Sequence, residues 1–378
     1  MSLARGYGLH APVVLALARL GLWRKLGNYL LAELELRRRA RRVRSRPYWV
    51  VIDPSSACDL ECPFCPTGKR KDTRERAVMS WEHFKAVIDE LGPTALHVEF
   101  TNWGEPTLNK DLPRMVRYAK TFGLGTHLST HMNRMTPALA GALVESGLDW
   151  VIVSIDGASP ETYAKYRVGG DYDAVIRNLK AFLAERRSRG SATPHVHWQF
   201  LVFRHNEHET VLAEAVARFL GVDEFGASPA AIPDPAWVPV GAGAALYPAR
   251  KPGGENDLLR PADLERARAA GLPECVWPWL GSVVNANGSV SPCCAIEDEA
   301  LDYGRADAAG GHAAVWNGED YRAARAFLAG ESASRKNACT ACPFIGHVNI
   351  AVPGCWVHGA ASGRPLIEVL RPRPFRAP

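Results

Sequence analysis

The sequence predicts an α/β fold built on a parallel sheet, arranged either as an open doubly wound sheet or as a partial barrel. Three observations carry that expectation. Between residues 47 and about 232, short apolar runs alternate with helix-like stretches. The helix-like stretches repeat apolar residues at 3.6-residue spacing, several of them closing on glycine. The two kinds of segment alternate about six times, as parallel βα units do. At 378 residues and 47% hydrophobic content, the chain can also bury a large core, enough for one big domain and a smaller one.

The first 46 residues read as a helical extension. Val13, Leu17 and Leu20, then Leu22, Leu26, Leu30 and Leu34, recur at helical spacing and lead into "RRRARRVRSR". Arg19 interrupts "APVVLALA", no small-residue cleavage site follows, and no stretch is long enough to span a bilayer. Two readings stay open: a helix packed on the domain with a solvated basic end, or an interfacial helix in peripheral contact with an anionic membrane. The formal charge is only +5, and the arginine run accounts for the excess, so a nucleic-acid partner is not expected.

The strand expectations follow in order. "YWVVID", "ALHVEFT", "GTHLST", "WVIVSID", "HVHWQFLVF" and the weaker "DEFGAS" read as strands. Between them "SWEHFKAVIDELG", "DLPRMVRYAKTFG", "TPALAGALVESG", "DAVIRNLKAFLAERR" and "ETVLAEAVARFLG" read as helices. This predicts one domain over 47–232. A Pro/Gly-rich stretch makes 233–272 a linker or crossing segment, residues 273–345 a small second domain, and 346–378 a C-terminal tail.

Nine cysteines are many for a chain without an export signal, and a cytoplasmic setting favours metal or catalytic thiols over disulfides. They fall in two sets. Cys58, Cys62 and Cys65 stand at C-x-x-x-C-x-x-C spacing after the first strand, at the sheet face where α/β proteins place their chemistry. Four thiolates saturate a [4Fe–4S] cluster, whereas three leave one iron open for an exogenous ligand. Zinc is the alternative, with His83 or His97 as a recruited ligand. In the second set, Cys275 precedes and Cys293 ends a predicted hairpin, "VVNANGSV", that turns at Gly288, and "CTACP" adds Cys339 and Cys342. Four thiolates gathered this way make a saturated cluster site, or a zinc knuckle. Cys294 and Cys355 are left over, and burial in packing ranks first for both.

The first set resembles the signature of the radical S-adenosylmethionine (SAM) enzymes, C-x-x-x-C-x-aromatic-C, met by Cys58, Cys62, Phe64 and Cys65. "WGEP" resembles that family's G-E-P motif (Gly104, Glu105, Pro106), "LSTHMN" its next strand end, and "VSIDGASPETYAKYR" the segment whose Ser and Arg contact SAM, here Ser154 and Arg167. The resemblance implies a partial (β/α)6 barrel, SAM bound to a catalytic [4Fe–4S] cluster, and reductive cleavage to a 5′-deoxyadenosyl radical fed by flavodoxin or ferredoxin. The second set resembles the twitch or SPASM domain, which implies one auxiliary [4Fe–4S] cluster, and its layout is similar to that of a radical SAM aminocyclitol dehydrogenase. The expected substrate is therefore a small polar or glycan-like molecule, oxidised beside a hydroxyl or amine. Epimerisation, or modification of a peptide or glycolipid, is the alternative, with Cys294 or Cys355 donating the hydrogen atom.

Overall fold

The computed structural model describes residues 11–70, 73–230, 234–243, 275–342 and 366–375. Its sheet has eight strands in the order β6-β5-β4-β3-β2-β1-β7-β8. Strands β1 (Trp49–Ile52), β2 (His97–Phe100), β3 (Gly125–Thr130), β4 (Trp150–Ser154), β5 (His195–Val202) and β6 (Glu224–Pro229) are parallel neighbours in sequence order. Helices α3 (Trp81–Leu91), α4 (Leu112–Thr121), α5 (Pro137–Ser146), α6 (Pro160–Tyr166), α7 (Tyr172–Ser188) and α8 (Thr210–Leu220) fall between or after them. The barrel is not closed: among the described residues β6, at one edge of the sheet, pairs with β5 alone.

Local chemistry sets the helix ends. Ser80, Thr136, Ser159 and Asp171 each accept a backbone N–H of the first turn of the helix that follows, and Gly147 and Gly221 end α5 and α8 in the left-handed region. One core lies between sheet and helices, where Val98, Phe100, Leu128, Val151, Val153, Val196 and Trp198 meet Phe84, Met115, Leu143, Leu179 and Phe182. The opposite face of the strands turns into the barrel.

The C-terminal hairpin belongs to this sheet. β7 (Gly281–Val284) pairs in parallel with β1 and antiparallel with β8 (Val290–Ser291), and the turn between them passes through Gly288 at φ +93°. Buried pairs weld this segment to the barrel. Arg74 donates to Asp302 at 2.8 and 3.0 Å and to the Ile296 carbonyl at 2.6 Å, while the Glu90 carboxylate accepts the backbone N–H groups of His312 and Ala313 at the start of the helix Gly311–Trp316.

The N-terminal helices α1 (Ala11–Arg19) and α2 (Trp23–Arg37) lie against a second core with Tyr48, Trp49, Trp277, Trp279 and Leu366. Their buried stripe includes Val13, Leu17, Tyr29 and Leu36, whereas Leu15, Trp23, Leu30 and Leu34 remain exposed. No helix among the described residues is long and apolar enough to cross a membrane.

Candidate functional site

The loop after β1 carries Cys58, Cys62 and Cys65 beyond the carboxyl end of the strand. It is folded back by the Cys65 N–H donating to the Cys62 carbonyl at 3.2 Å. Phe64 leans on Tyr166, Phe203 and Trp237, with ring centroids 5.0–6.2 Å apart, and this aromatic wall closes one side. Burial pushes the Cys62 thiol up to about 11; the Arg167 guanidinium, whose Nη1 lies 3.9 Å from Cys62 Sγ, pulls it down, and the neighbouring Cys65 and Cys58 add to the rise. Three thiols close enough to sense one another, with no fourth cysteine among the described residues of that cluster, fit a group that takes three sulfur ligands and keeps one position open.

Gly104 fits the loop after β2 against this cysteine loop. A β-carbon there would meet the Ser55 carbonyl oxygen at 1.8 Å and that of Ala57 at 2.6 Å, so only glycine permits the approach. The next residue, Glu105, donates its N–H to Ala57 at 2.8 Å. Its carboxylate accepts from the hydroxyls of Thr107 and Thr130, both at 2.6 Å, and from the His131 N–H at 3.1 Å. Pro106 begins the turn Pro106–Leu108. Glu105 thus ties the end of β2 to the end of β3.

His131, Asp59 and Glu105 form a charged layer beside Cys58. His131 Nε2 lies 3.0 Å from Asp59 Oδ1 and 3.2 Å from Glu105 Oε2. Burial opposes charge on this imidazole, but Glu105, Asp59 and Cys58 together raise its pKa to about 10. Ser154 is buried at the end of β4, and Arg167 follows α6 with its Nε 2.5 Å from Asp156 Oδ2. Asp156 in turn accepts the Leu201 N–H at 2.7 Å. The structure therefore brings Phe64, the cysteine loop, Gly104, Glu105, Pro106, Ser154 and Arg167 to one end of the sheet. His131, Asp156 and Trp237 complete that end, and sequence reasoning did not single them out.

Around β7 and β8 the second set assembles in an apolar setting. Cys293 senses Cys294, Cys339 and Cys275, and Cys275 senses Cys339, Cys342 and Cys294. Burial pushes the thiols of Cys275, Cys293 and Cys339 up, that of Cys339 to about 12. Trp277, Trp316, Tyr303 and Tyr321 pack in the same core, and the Cys339 N–H donates to Tyr303 Oη at 3.3 Å. Four thiols with no histidine among their partners in the described residues fit an iron–sulfur group.

Cys294 departs from the expected packing role. It is exposed, whereas adjacent Cys293 enters the core. Cys294 still has protein around much of its thiol, which burial and then the Glu99 carboxylate raise to about 12. It therefore borders the barrel's inward face. Cys355 lies outside the described residues.

Residues 52–197 match the radical SAM superfamily, and residues 275–343 match SPASM, an iron–sulfur cluster-binding domain. The chain carries a radical SAM domain and a SPASM domain. The first implies SAM and a [4Fe–4S] cluster, the second auxiliary iron–sulfur clusters. The chain is 37% identical over 131 residues to Fe-coproporphyrin III synthase of Methanosarcina barkeri, covering 34% of this chain and 32% of that protein. It is 34% identical over 136 residues to mycofactocin maturase MftC of Mycolicibacterium smegmatis, covering 35% and 34%. These matches span about a third of either relative. Over 90% of this chain and 80% of its counterpart, the fold is similar to that of Streptococcus suis SuiB bound to S-adenosylmethionine, with a TM-score of 0.55 and 16% identity.

Proposed function

We propose that this radical SAM chain is an oxidoreductase that removes hydrogen from a C–H bond beside a hydroxyl or amine of a polar substrate. In this reading Cys58, Cys62 and Cys65 hold the catalytic cluster. Phe64, the backbone of Gly104–Pro106, Ser154 and Arg167 bind SAM, and Cys275, Cys293, Cys339 and Cys342 hold one auxiliary cluster. The chemistry these groups supply is reductive cleavage of SAM to a hydrogen-abstracting radical; a flavodoxin- or ferredoxin-like protein is the proposed reductant. The chain's own part is to bind SAM at the strand ends, to exclude water behind Phe64 and Trp237, and to hold the substrate against the barrel's inner face.

The observation that supports oxidation is the shared strand edge. β1 leads directly into the three-cysteine loop and is hydrogen-bonded to β7, whose hairpin is bracketed by Cys275 and Cys293. Because β7 runs parallel to β1, Cys275 and Cys293 stand at the opposite end of this strand pair from the three-cysteine loop, where an auxiliary cluster would accept an electron from across the barrel in this reading. The inner face, with Ser154, Gln199 and His197 in adjoining strands, suits a substrate rich in hydroxyl or amine groups. The two named relatives carry different products on a similar core, so they support the radical initiation rather than a substrate class.

One observation favours epimerisation instead, namely the exposed Cys294 bordering the lumen beside Glu99. Turnover in D2O separates the two. Oxidation gives a product two electrons poorer than the substrate, with stoichiometric SAM consumption and no solvent deuterium on carbon. A product isomeric with the substrate, deuterated at the abstracted position and lost in Cys294→Ala, establishes the epimerase.

A further inference from the structure

Two strands carry an unusual set of side chains into the barrel. On β2, Val98 and Phe100 enter the core beneath the helices, so His97 and Glu99 face the other way; on β3, Leu128 does the same and His127 faces in. The register places Glu99 opposite His127 and His97 opposite Gly125. A β-carbon at Gly125 would stand 2.8 Å from His97 Nδ1, so the glycine leaves room for that ring. His97 and His127 are each 3% exposed and Glu99 6%.

Buried polar atoms are normally hydrogen-bonded. Here neither ring nitrogen of His97 and neither of His127 has a hydrogen-bond partner among the described residues. Their neighbour is the Glu99 carboxylate, with Oε1 3.7 Å from His97 Nε2 and 3.6 Å from His127 Nδ1. These separations are too long for hydrogen bonds. They lie close to the roughly 3.4 Å edge of a tetrahedron built on metal–ligand bonds of about 2.1 Å. One ligand atom from each of the three lies within 4.8 Å of the other two. A second histidine–glutamate contact in the same barrel has closed to hydrogen-bonding range, His195 Nε2 standing 3.4 Å from Glu224 Oε2.

We propose that His97, Glu99 and His127 form a metal site, separate from both cysteine sets, that holds one first-row divalent cation. Two borderline imidazoles and one hard carboxylate make the His2Glu donor set of catalytic zinc sites, which places zinc first among the candidates. Three protein ligands leave a fourth position for water or for a donor from the lumen, the pattern of catalytic rather than structural zinc.

The test uses the anaerobic protein with its iron–sulfur content in place, so that the cluster cysteines are occupied. The protein is mixed with zinc chloride, desalted, and assayed for zinc, iron and sulfide. About one zinc per chain should be retained. Glu99→Gln and the double variant His97→Gln/His127→Gln should lose it while keeping their iron. Zinc retained equally by the double variant and the unaltered protein, or by neither, overturns the proposal. Zinc-edge X-ray absorption on the unaltered protein requires no variant to fold. A first shell of nitrogen and oxygen at about 2.0–2.1 Å supports the site, and a sulfur shell near 2.3 Å overturns it.

Discussion

Around Cys62 an aromatic wall meets charge: Tyr166 and Phe203 pack in its cluster, Arg167 lies at 3.9 Å, and Asp59, His131 and Glu105 stand alongside Cys58 in the next layer. Around Cys275, Cys293 and Cys339 the neighbours are mostly aromatic, with Trp277, Trp316, Tyr303 and Tyr321 in one core and the buried guanidinium of Arg325 over the Trp316 and Tyr321 rings. The same element therefore sits in two different media. Charged groups at the first site can orient a zwitterionic ligand, and the open strand ends admit it. At the second site the buried thiols stay protonated until a metal centre displaces their protons, so loading there is coupled to proton release. Until then they behave as small hydrophobes and leave the fold intact.

The sharpest way to break this comparison is to remove each set in turn. Reconstituted protein should bind about eight iron and eight sulfide. Replacing Cys58, Cys62 and Cys65 by Ala should remove half and abolish SAM cleavage. Replacing Cys339 and Cys342 should remove the other half and leave uncoupled SAM cleavage, read as 5′-deoxyadenosine by chromatography. Four iron with stoichiometric zinc in the unaltered protein would refute the auxiliary assignment.

The two regions also meet in a buried ion pair, whose loss should rank next. Arg74 and Asp302 are almost fully buried, and Asp302 further accepts from Ser291 at 2.6 Å and Asn285 at 3.2 Å. Arg74→Met strands that carboxylate and should lower unfolding free energy by about 3–5 kcal/mol in denaturant titration. Arg74→Met combined with Asp302→Leu should recover part of it. A single variant as stable as the parent would mean that the C-terminal hairpin does not depend on this pair.

The smallest effect expected belongs to the charged site alone. Arg167→Lys keeps the charge but loses the planar fork, and should weaken SAM binding by about 1–3 kcal/mol without loss of iron, measured by equilibrium dialysis. Equal affinity in the variant would place the SAM carboxylate elsewhere.

Much of this was legible in the chain. Each of the six predicted strands overlaps an observed one, because buried parallel strands read as short apolar runs with helical periods between them. Helix α6 was not separated from its surroundings, since seven residues show too little of a 3.6-residue period. The hairpin showed in Gly288 and its flanking valines, but its pairing with β1 did not, because no local pattern encodes a partner so distant in sequence. At the site, spacing revealed the cysteines. His131 escaped notice because Asp59 and Glu105 reach it only through folding, and Arg167 was placed without its anchor, Asp156. His97 and Glu99 alternate with Val98 and Phe100, a rhythm that ordinarily marks a water-facing strand surface, and only the closed-in sheet shows them to be buried.

The pairing of β7 with β1 sets a timetable for synthesis. Emerging from the ribosome, β1 can find β2 soon after, but its other edge stays bare until residues 281–284 have been made, and a bare edge is a template for the wrong strand. The barrel's first strand therefore acquires its second neighbour only after β2 to β6 have all been made, so a chain truncated before the hairpin should present that edge to other molecules.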